Sequence, residues 1–397
     1  MRLSVTVMAL ALCMAAHAAE PDSARVQHRL EISGRGAYVL SVGMLDGNNA
    51  FSAKTRSAFS GGAEYSFVFP YSTRYGRWYP QAYQGAGVSV TAFDSDRITG
   101  TPVNIYVLQG APLAHIGGRL SVEYEWNFGI SAGWNKMSPD VQLSPDEIDG
   151  FGSRVNAYID LGIKVGYALS ERLALTAGVN LSHFSNGNTD LPNPGVNVLW
   201  GKVGLLYRMG TVVRPRKADW SDFVRHMSYD ITAYGAWRKW GFDSNYGQEG
   251  AERSMVLIPG HFGVAGLSVN PLYHFNPCLS VGGALDFQYD EGANLAACHV
   301  PGSAVDDPKF YRQPFGHRVM LGLSARAELR MPVFAVNIGI GHSVVAPGGA
   351  DLRGWYQIFT LKTFVTRALY LSTGYRLVDF HKPGNLMLGA GWSFNAL

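Results

Sequence analysis

The sequence predicts an all-β protein, specifically a transmembrane antiparallel β-barrel, and three observations carry that expectation. Hydrophobicity alternates with period two along the chain and does not follow the 3.6-residue period of a helix. The alternating runs are long. Between residues 119 and 134, Arg119, Ser121, Glu123, Glu125, Asn127 and Ser131 share one face, while Leu120, Val122, Tyr124, Trp126, Phe128, Ile130 and Trp134 share the other. Such a run exceeds the ~5–6 residues usual in soluble sheets and reaches the ~9–11 that cross a bilayer. Composition agrees: 47 glycines, nine Trp, 20 Tyr and 20 Phe stand beside only 16% charged residues. A β-protein in hydrocarbon cannot leave strand edges unpaired, so the sheet must close. The competing reading, a secreted β-sandwich, fits the long runs poorly.

The elements follow in order. Arg2, the apolar stretch 3–15 and Ala16-His17-Ala18 read as a signal peptide over residues 1–18, which implies export. Leu12 precedes Cys13 where lipid attachment would want a small residue. Residues 19–397 then form the barrel. Alternating segments fall near 28–40, 57–69, 83–94, 102–111, 117–134, 154–167, 172–186 and 195–209. They continue near 227–240, 258–274, 278–290, 316–331, 332–346, 355–366, 367–379 and 384–394. Loops rich in Gly, Pro, Asp and Asn separate them, the longest at 135–153 and 291–315. Short turns on one side and long loops on the other suit a membrane barrel. The run Met387-Leu-Gly-Ala-Gly-Trp-Ser-Phe394 resembles the terminal assembly signal of bacterial outer-membrane barrels, although three residues follow it.

A single barrel of about 12–16 strands, even in number, is the first expectation. Two tandem eight-stranded barrels are the alternative, disfavoured because there is one terminal assembly signal. An internal echo admits the tandem arrangement through a duplication, although the plainer reading, that lipid-facing strands look alike, is preferred. Residues 173–185, LALTAGVNLSHFS, resemble residues 369–381, LYLSTGYRLVDFH, with the basic connector Arg214-Pro-Arg-Lys217 between them. On that reading residues 227–397 are a second repeat.

Other function classes find little support. The net charge of +3 comes with no basic stripe, so nucleic acid is not an expected partner. No run of 18 apolar residues offers a transmembrane helix. Cys278 and Cys298 are candidates for a disulfide in an oxidising exterior. His261, His274, His299, His317 and His342 lack ligand spacing and read as loop or lumen residues. Glu123 and Glu125 read as members of a lumenal ion network with Arg or Lys. No metal or cofactor is expected, for there is no phosphate loop, zinc motif or nucleotide fingerprint.

The chemistry concentrates in LSHFSNGNTDLPNPGVN, residues 181–197. Leu173, Leu175, Ala177, Val179 and Leu181 form an apolar odd-numbered row, and His183 and Ser185 extend it. Leu199, Val203, Leu205 and Tyr207 form the matching row of the next strand, with Asn197 in line. Both rows face lipid in a barrel. Residues two apart on a strand lie roughly 6.5–7 Å apart, so His183 can serve Ser185 as a general base. Asn197 can fix the imidazole tautomer through its amide oxygen. Asn186, Asn188, Asn193 and backbone amides of the Gly187 turn are candidate oxyanion donors. Turn chemistry alone accounts for Gly187 and Pro194, but not for polar residues that extend an apolar row.

The pattern His183-x-Ser185-Asn186 followed by Pro192-Asn193-x-Gly195-x-Asn197 resembles the PagL family of outer-membrane lipid A 3-O-deacylases. The wider chain is similar to longer acyloxyacyl hydrolases of that type. The resemblance implies a serine esterase that removes an ester-linked acyl chain from lipid A, with His183 as base, Ser185 as nucleophile and Asn193 at the oxyanion site. It implies lipopolysaccharide as partner, the outer membrane as location, and allows for a homodimer. The best-known members carry Glu where this chain has Asn197. Outer-membrane phospholipase A shares the His-x-Ser-Asn-Gly stretch and an Asn third member, and is the alternative, with calcium as its requirement and Asp190 as a weak hint. A non-catalytic channel with a vestigial motif is the third reading.

Overall fold

The computed structural model describes residues 26–40, 55–95, 99–137, 142–143, 150–210, 214–243, 255–298, 309–349, 351–380 and 382–396. The segment expected to be a signal peptide lies outside them. The chain divides into two compact units, and each contains a closed antiparallel barrel of eight strands.

The first barrel runs β1 (Gln27–Leu40), β2 (Ser57–Val68), β3 (Tyr83–Phe93), β4 (Gly100–Ile116), β5 (Leu120–Trp134), β6 (Val155–Ala168), β7 (Leu173–Ser185) and β8 (Val196–Met209). It closes where β8 pairs with β1, from His28↔Met209 to Leu40↔Asn197. A short helix, α1 (Arg74–Trp78), lies between β2 and β3. The second barrel runs β9 (His226–Arg238), β10 (Phe262–His274), β11 (Leu279–Asp290), β12 (Val319–Arg330), β13 (Phe334–Val345), β14 (Trp355–Phe364), β15 (Leu369–Val378) and β16 (Lys382–Phe394). It closes through β9 and β16, from Tyr229↔Phe394 to Gly235↔Leu388.

All the alternating segments of the sequence are barrel strands, in the expected order. The expectation of one large barrel is corrected to the tandem alternative: β8 returns to β1, so the sheet closes before β9 begins. The echo noted in the sequence occupies the seventh strand of each barrel, β7 and β15. The two differ at the end that carries the motif. β15 stops at Val378 and turns through Asp379 and Phe380, whose φ values of 49° and 65° are left-handed, whereas β7 continues to Ser185.

Period two decides what faces lipid. On β7, Leu175, Val179 and Leu181 are 46%, 57% and 48% exposed, while Thr176, Asn180 and Ser182 are buried in the lumen. That lumen is filled by charge. Arg29 reaches Glu123 at 3.3 Å, Lys164 reaches Glu125 at 2.6 Å, and Lys202 lies within 3.3 Å of Glu31, Glu64 and Glu125. Glu123 and Glu125 therefore belong to the ion network that the sequence indicates. The three clustered carboxylates Glu31, Glu64 and Glu125 are bridged by ammonium groups. Neutral hydroxyls and ion pairs satisfy buried polar groups that lipid could not.

The pairing of Cys278 with Cys298 is not formed, and Cys278 is a free thiol. The reason is geometric. Cys278 precedes β11, and Cys298 ends a short strand, Ala296–Cys298, beyond the other end of β11. A strand rises ~3.3 Å per residue, which separates the two by far more than the ~7 Å that a disulfide tolerates between Cα atoms. Burial pushes the Cys278 thiol up to about 11, so it stays protonated at neutral pH.

Candidate active site

The site forms where β7 ends and β8 begins. This is the end of the first barrel opposite the one at which β1 starts and β8 finishes. β7 and β8 pair in a register that sets His183 directly across from Asn197 and Leu181 across from Leu199. Directly opposed residues bring their Cβ atoms to ~4.5–5.5 Å, within reach of a side-chain hydrogen bond. One forms: His183 Nδ1 and Asn197 Oδ1 are 2.8 Å apart. An amide oxygen only accepts, so Nδ1 carries the hydrogen and Nε2 is left with the lone pair.

Ser185 is the next outward residue of β7. Its Oγ lies against the Asn193 amide, 3.1 Å from Nδ2 and 3.3 Å from Oδ1. The backbone N–H of Asn186 donates to the same Oδ1 at 3.1 Å, which turns Nδ2 toward the serine oxygen. His183, Ser185, Asn193 and Asn197 are all half-buried, in rows continued by exposed Leu181 and Leu199. The polar group thus opens on the lipid-facing wall and not into the lumen.

The remaining predicted residues are placed differently. Asn186 has even parity, so its side chain turns inward, is buried, and donates to Ser153 Oγ at 3.1 Å. Asn188 has a left-handed φ of 64° and donates to the Tyr375 hydroxyl at 3.3 Å; its segment groups with the second compact unit. Asp190 is engaged by Lys239 at 3.0 Å. Gly195 adopts φ +63°, and a Cβ there would meet His183 Cε1 at 3.3 Å. Only glycine combines that conformation with that closeness to the ring.

Sequence reasoning missed the neighbouring loop. Ser153 accepts from Asn186 and donates to Asn156 Oδ1 at 2.8 Å, and the N–H of Gly152 donates to the Pro192 carbonyl at 2.8 Å. These bonds fasten the loop that bears Asn193. The β6–β7 register, with Ala157 opposite Ser185, is the signal that would have brought residues 150–156 beside it.

Two family models match. The model described as lipid A 3-O-deacylase (PagL) matches residues 24–205, and that described as acyloxyacyl hydrolase, C-terminal domain, matches residues 227–396. The chain belongs to the PagL family. Each match falls on one barrel, and together they cover nearly all of the described structure. At the family level this PagL-family chain is a lipid A deacylase, a hydrolase of the outer membrane. None of the curated proteins matches it. Among solved structures it is similar to Neisserial surface protein A, with 8% identity and a TM-score of 0.29, over 47% of this chain and 99% of that one. It is also similar to the Pseudomonas putida toluene transporter TodX, with 9% identity and a TM-score of 0.18, over 94% and 88%. The siderophore receptor PirA from Acinetobacter baumannii gives 9% identity and a TM-score of 0.24, over 90% and 68%.

Proposed function

We propose that this PagL-family chain removes an ester-linked acyl chain from lipid A with Ser185 as nucleophile, His183 as general base, Asn197 as the residue that orients the imidazole, and Asn193 as oxyanion donor. The observation that carries the reading is the outward-facing bond from His183 Nδ1 to Asn197 Oδ1, 2.8 Å, beside a serine whose oxygen meets an amide donor at 3.1 Å.

The chemistry follows from those atoms. His183 Nε2 takes the Ser185 Oγ proton as the oxygen attacks the ester carbonyl. The charge that develops on the carbonyl oxygen is met by Asn193 Nδ2. As the tetrahedral species collapses, the imidazolium returns its proton to the departing sugar oxygen. Water, deprotonated by the same Nε2, then releases the fatty acid from Ser185. The long-loop end of a barrel lies at the outer leaflet, where the acyl chains of lipid A reside, so the ester reaches the site by lateral diffusion.

The experiment is mass spectrometry of lipid A exposed to wild-type and Ser185→Ala protein. Wild type removes one hydroxyacyl mass, and Ser185→Ala falls by at least about 10³-fold while remaining a folded, heat-modifiable barrel. Intact lipid A with the wild type contradicts the proposal. The amide at position 197 favours one further reading, a phospholipase A-like enzyme. Hydrolysis of phospholipid that stops on calcium chelation would select it.

A further inference from the structure

The second barrel carries a buried charge imbalance. Among the described residues, its buried cations are Arg238, Arg326, Arg330, Lys362 and Arg376, and its buried carboxylates are Asp230, Asp286, Asp290 and Glu328. Five face four, and the surplus can be located. Asp230 and Glu328 both hold Lys362, which leaves one carboxylate charge at that level to balance Arg330. Asp286 accepts from Arg326, Ser268, Ser324 and Tyr356. Asp290 pairs with Arg238 at 2.6 Å and accepts from the Gly292 N–H at 2.9 Å.

Arg376 remains. It is 3% exposed and has no carboxylate partner among the described residues. Its guanidinium lies over the Tyr356 ring at 4.5 Å, and its Nη2 meets the Met320 sulfur at 3.0 Å, a weak acceptor. Its Nε is buried without a hydrogen-bond partner, as is that of Arg238. A cation-π contact offsets only part of the desolvation of a buried guanidinium.

We propose that the lumen of the second barrel is a binding site for one small monovalent anion, such as a halide or formate, held by the Arg376 guanidinium. The anion supplies the missing charge and accepts from the unmatched Arg376 N–H. Guanidinium suits this role because its donors are fixed in a plane and its charge does not titrate away. The proposal does not depend on the catalytic reading, because every residue in it belongs to the second barrel.

Thermal unfolding of the full chain in detergent tests it, with sodium bromide compared with sodium gluconate at equal ionic strength. Bromide raises the wild-type Tm saturably, by about 5 °C. The increment vanishes in Arg376→Met and Arg376→Gln and persists in the exposed-arginine control Arg353→Gln. Should either Arg376 variant fail to fold, bromide anomalous diffraction from wild-type crystals decides, with a peak expected within hydrogen-bond reach of Arg376. No bromide-specific increment in wild type, an increment unchanged in folded Arg376→Met, or crystals without that peak would overturn the proposal.

Discussion

At residue 197 the chain substitutes neutrality for charge. An amide oxygen selects the same imidazole tautomer that a carboxylate would, and the 2.8 Å bond to His183 is its geometric expression. On the proposed mechanism, what it lacks is attraction for the imidazolium formed during attack. A charge-assisted hydrogen bond is roughly twice as strong as a neutral one, and ~1.4 kcal/mol off the barrier is tenfold in rate. Asn197→Glu is therefore expected to raise kcat about tenfold, with KM unchanged, in a lipid A deacylation assay. A fall in kcat would show that the amide is needed for more than orientation. These residues were readable in the sequence because strand parity is strict: His183, Ser185, Asn197 and the leucines beside them are all odd-numbered, and one face follows from the other. The same parity explains Asn186, which is even-numbered and turns inward. Ser153 was not readable, since its contact depends on a register that no single strand encodes.

At the element scale, β8 and its neighbours present a bare strip below the site. Gly201 is the next outward position past Leu199 and pairs with Gly36, while Gly34 pairs with Gly61. Gly34, Gly36 and Gly61, with Phe59 and Val90, line an open depression of about 500 Å³. A Cβ added at Gly61 meets nothing within 4 Å, so a larger residue there fills the depression without disturbing the barrel. If the acyl chain lies along this strip, Gly61→Leu lowers kcat/KM for lipid A about tenfold and leaves a short soluble ester unaffected. Equal losses on both substrates would rule the strip out.

The connector supplies a second case. Asp222 accepts from Trp78 Nε1 at 2.6 Å and from Arg77 at 2.9 Å, and Trp220 donates to the Trp78 carbonyl at 3.0 Å. The indole bond, more than the arginine, holds the Asp222 carboxyl below its ordinary range. A carboxyl lowered in the folded state stabilises above its free pKa of ~3.9 and loses that contribution as pH falls through the folded value. The Trp78 indole N–H resonance should accordingly shift with a midpoint below about 3.9; a midpoint at or above it would contradict the contact.

At the scale of the whole molecule, the sequence identified every barrel strand but not the partition into two barrels. Alternation states which side of a strand faces lipid, yet the backbone hydrogen bonds that close a sheet are the same whether β8 meets β1 or β9. The internal echo was the better guide and the terminal assembly signal the poorer one, because closure depends on register and not on where a chain ends. Closure also makes a prediction. Since β1 and β8 satisfy each other from His28 to Asn197, a fragment of residues 19–222 has no unpaired edge in the membrane. It is expected to refold in detergent as a heat-modifiable barrel that still deacylates lipid A. Aggregation of the fragment, with the full chain folding normally, would show that the second barrel is needed to build the first.

An even number of crossings brings a polypeptide back to the compartment from which it set out. Each eight-strand cylinder here is consequently a self-contained excursion, one that evolution can append, copy or strip of its chemistry without inverting whatever follows. The seventh strand is shorter in the second cylinder than in the first, and the two can differ there without disturbing either closure.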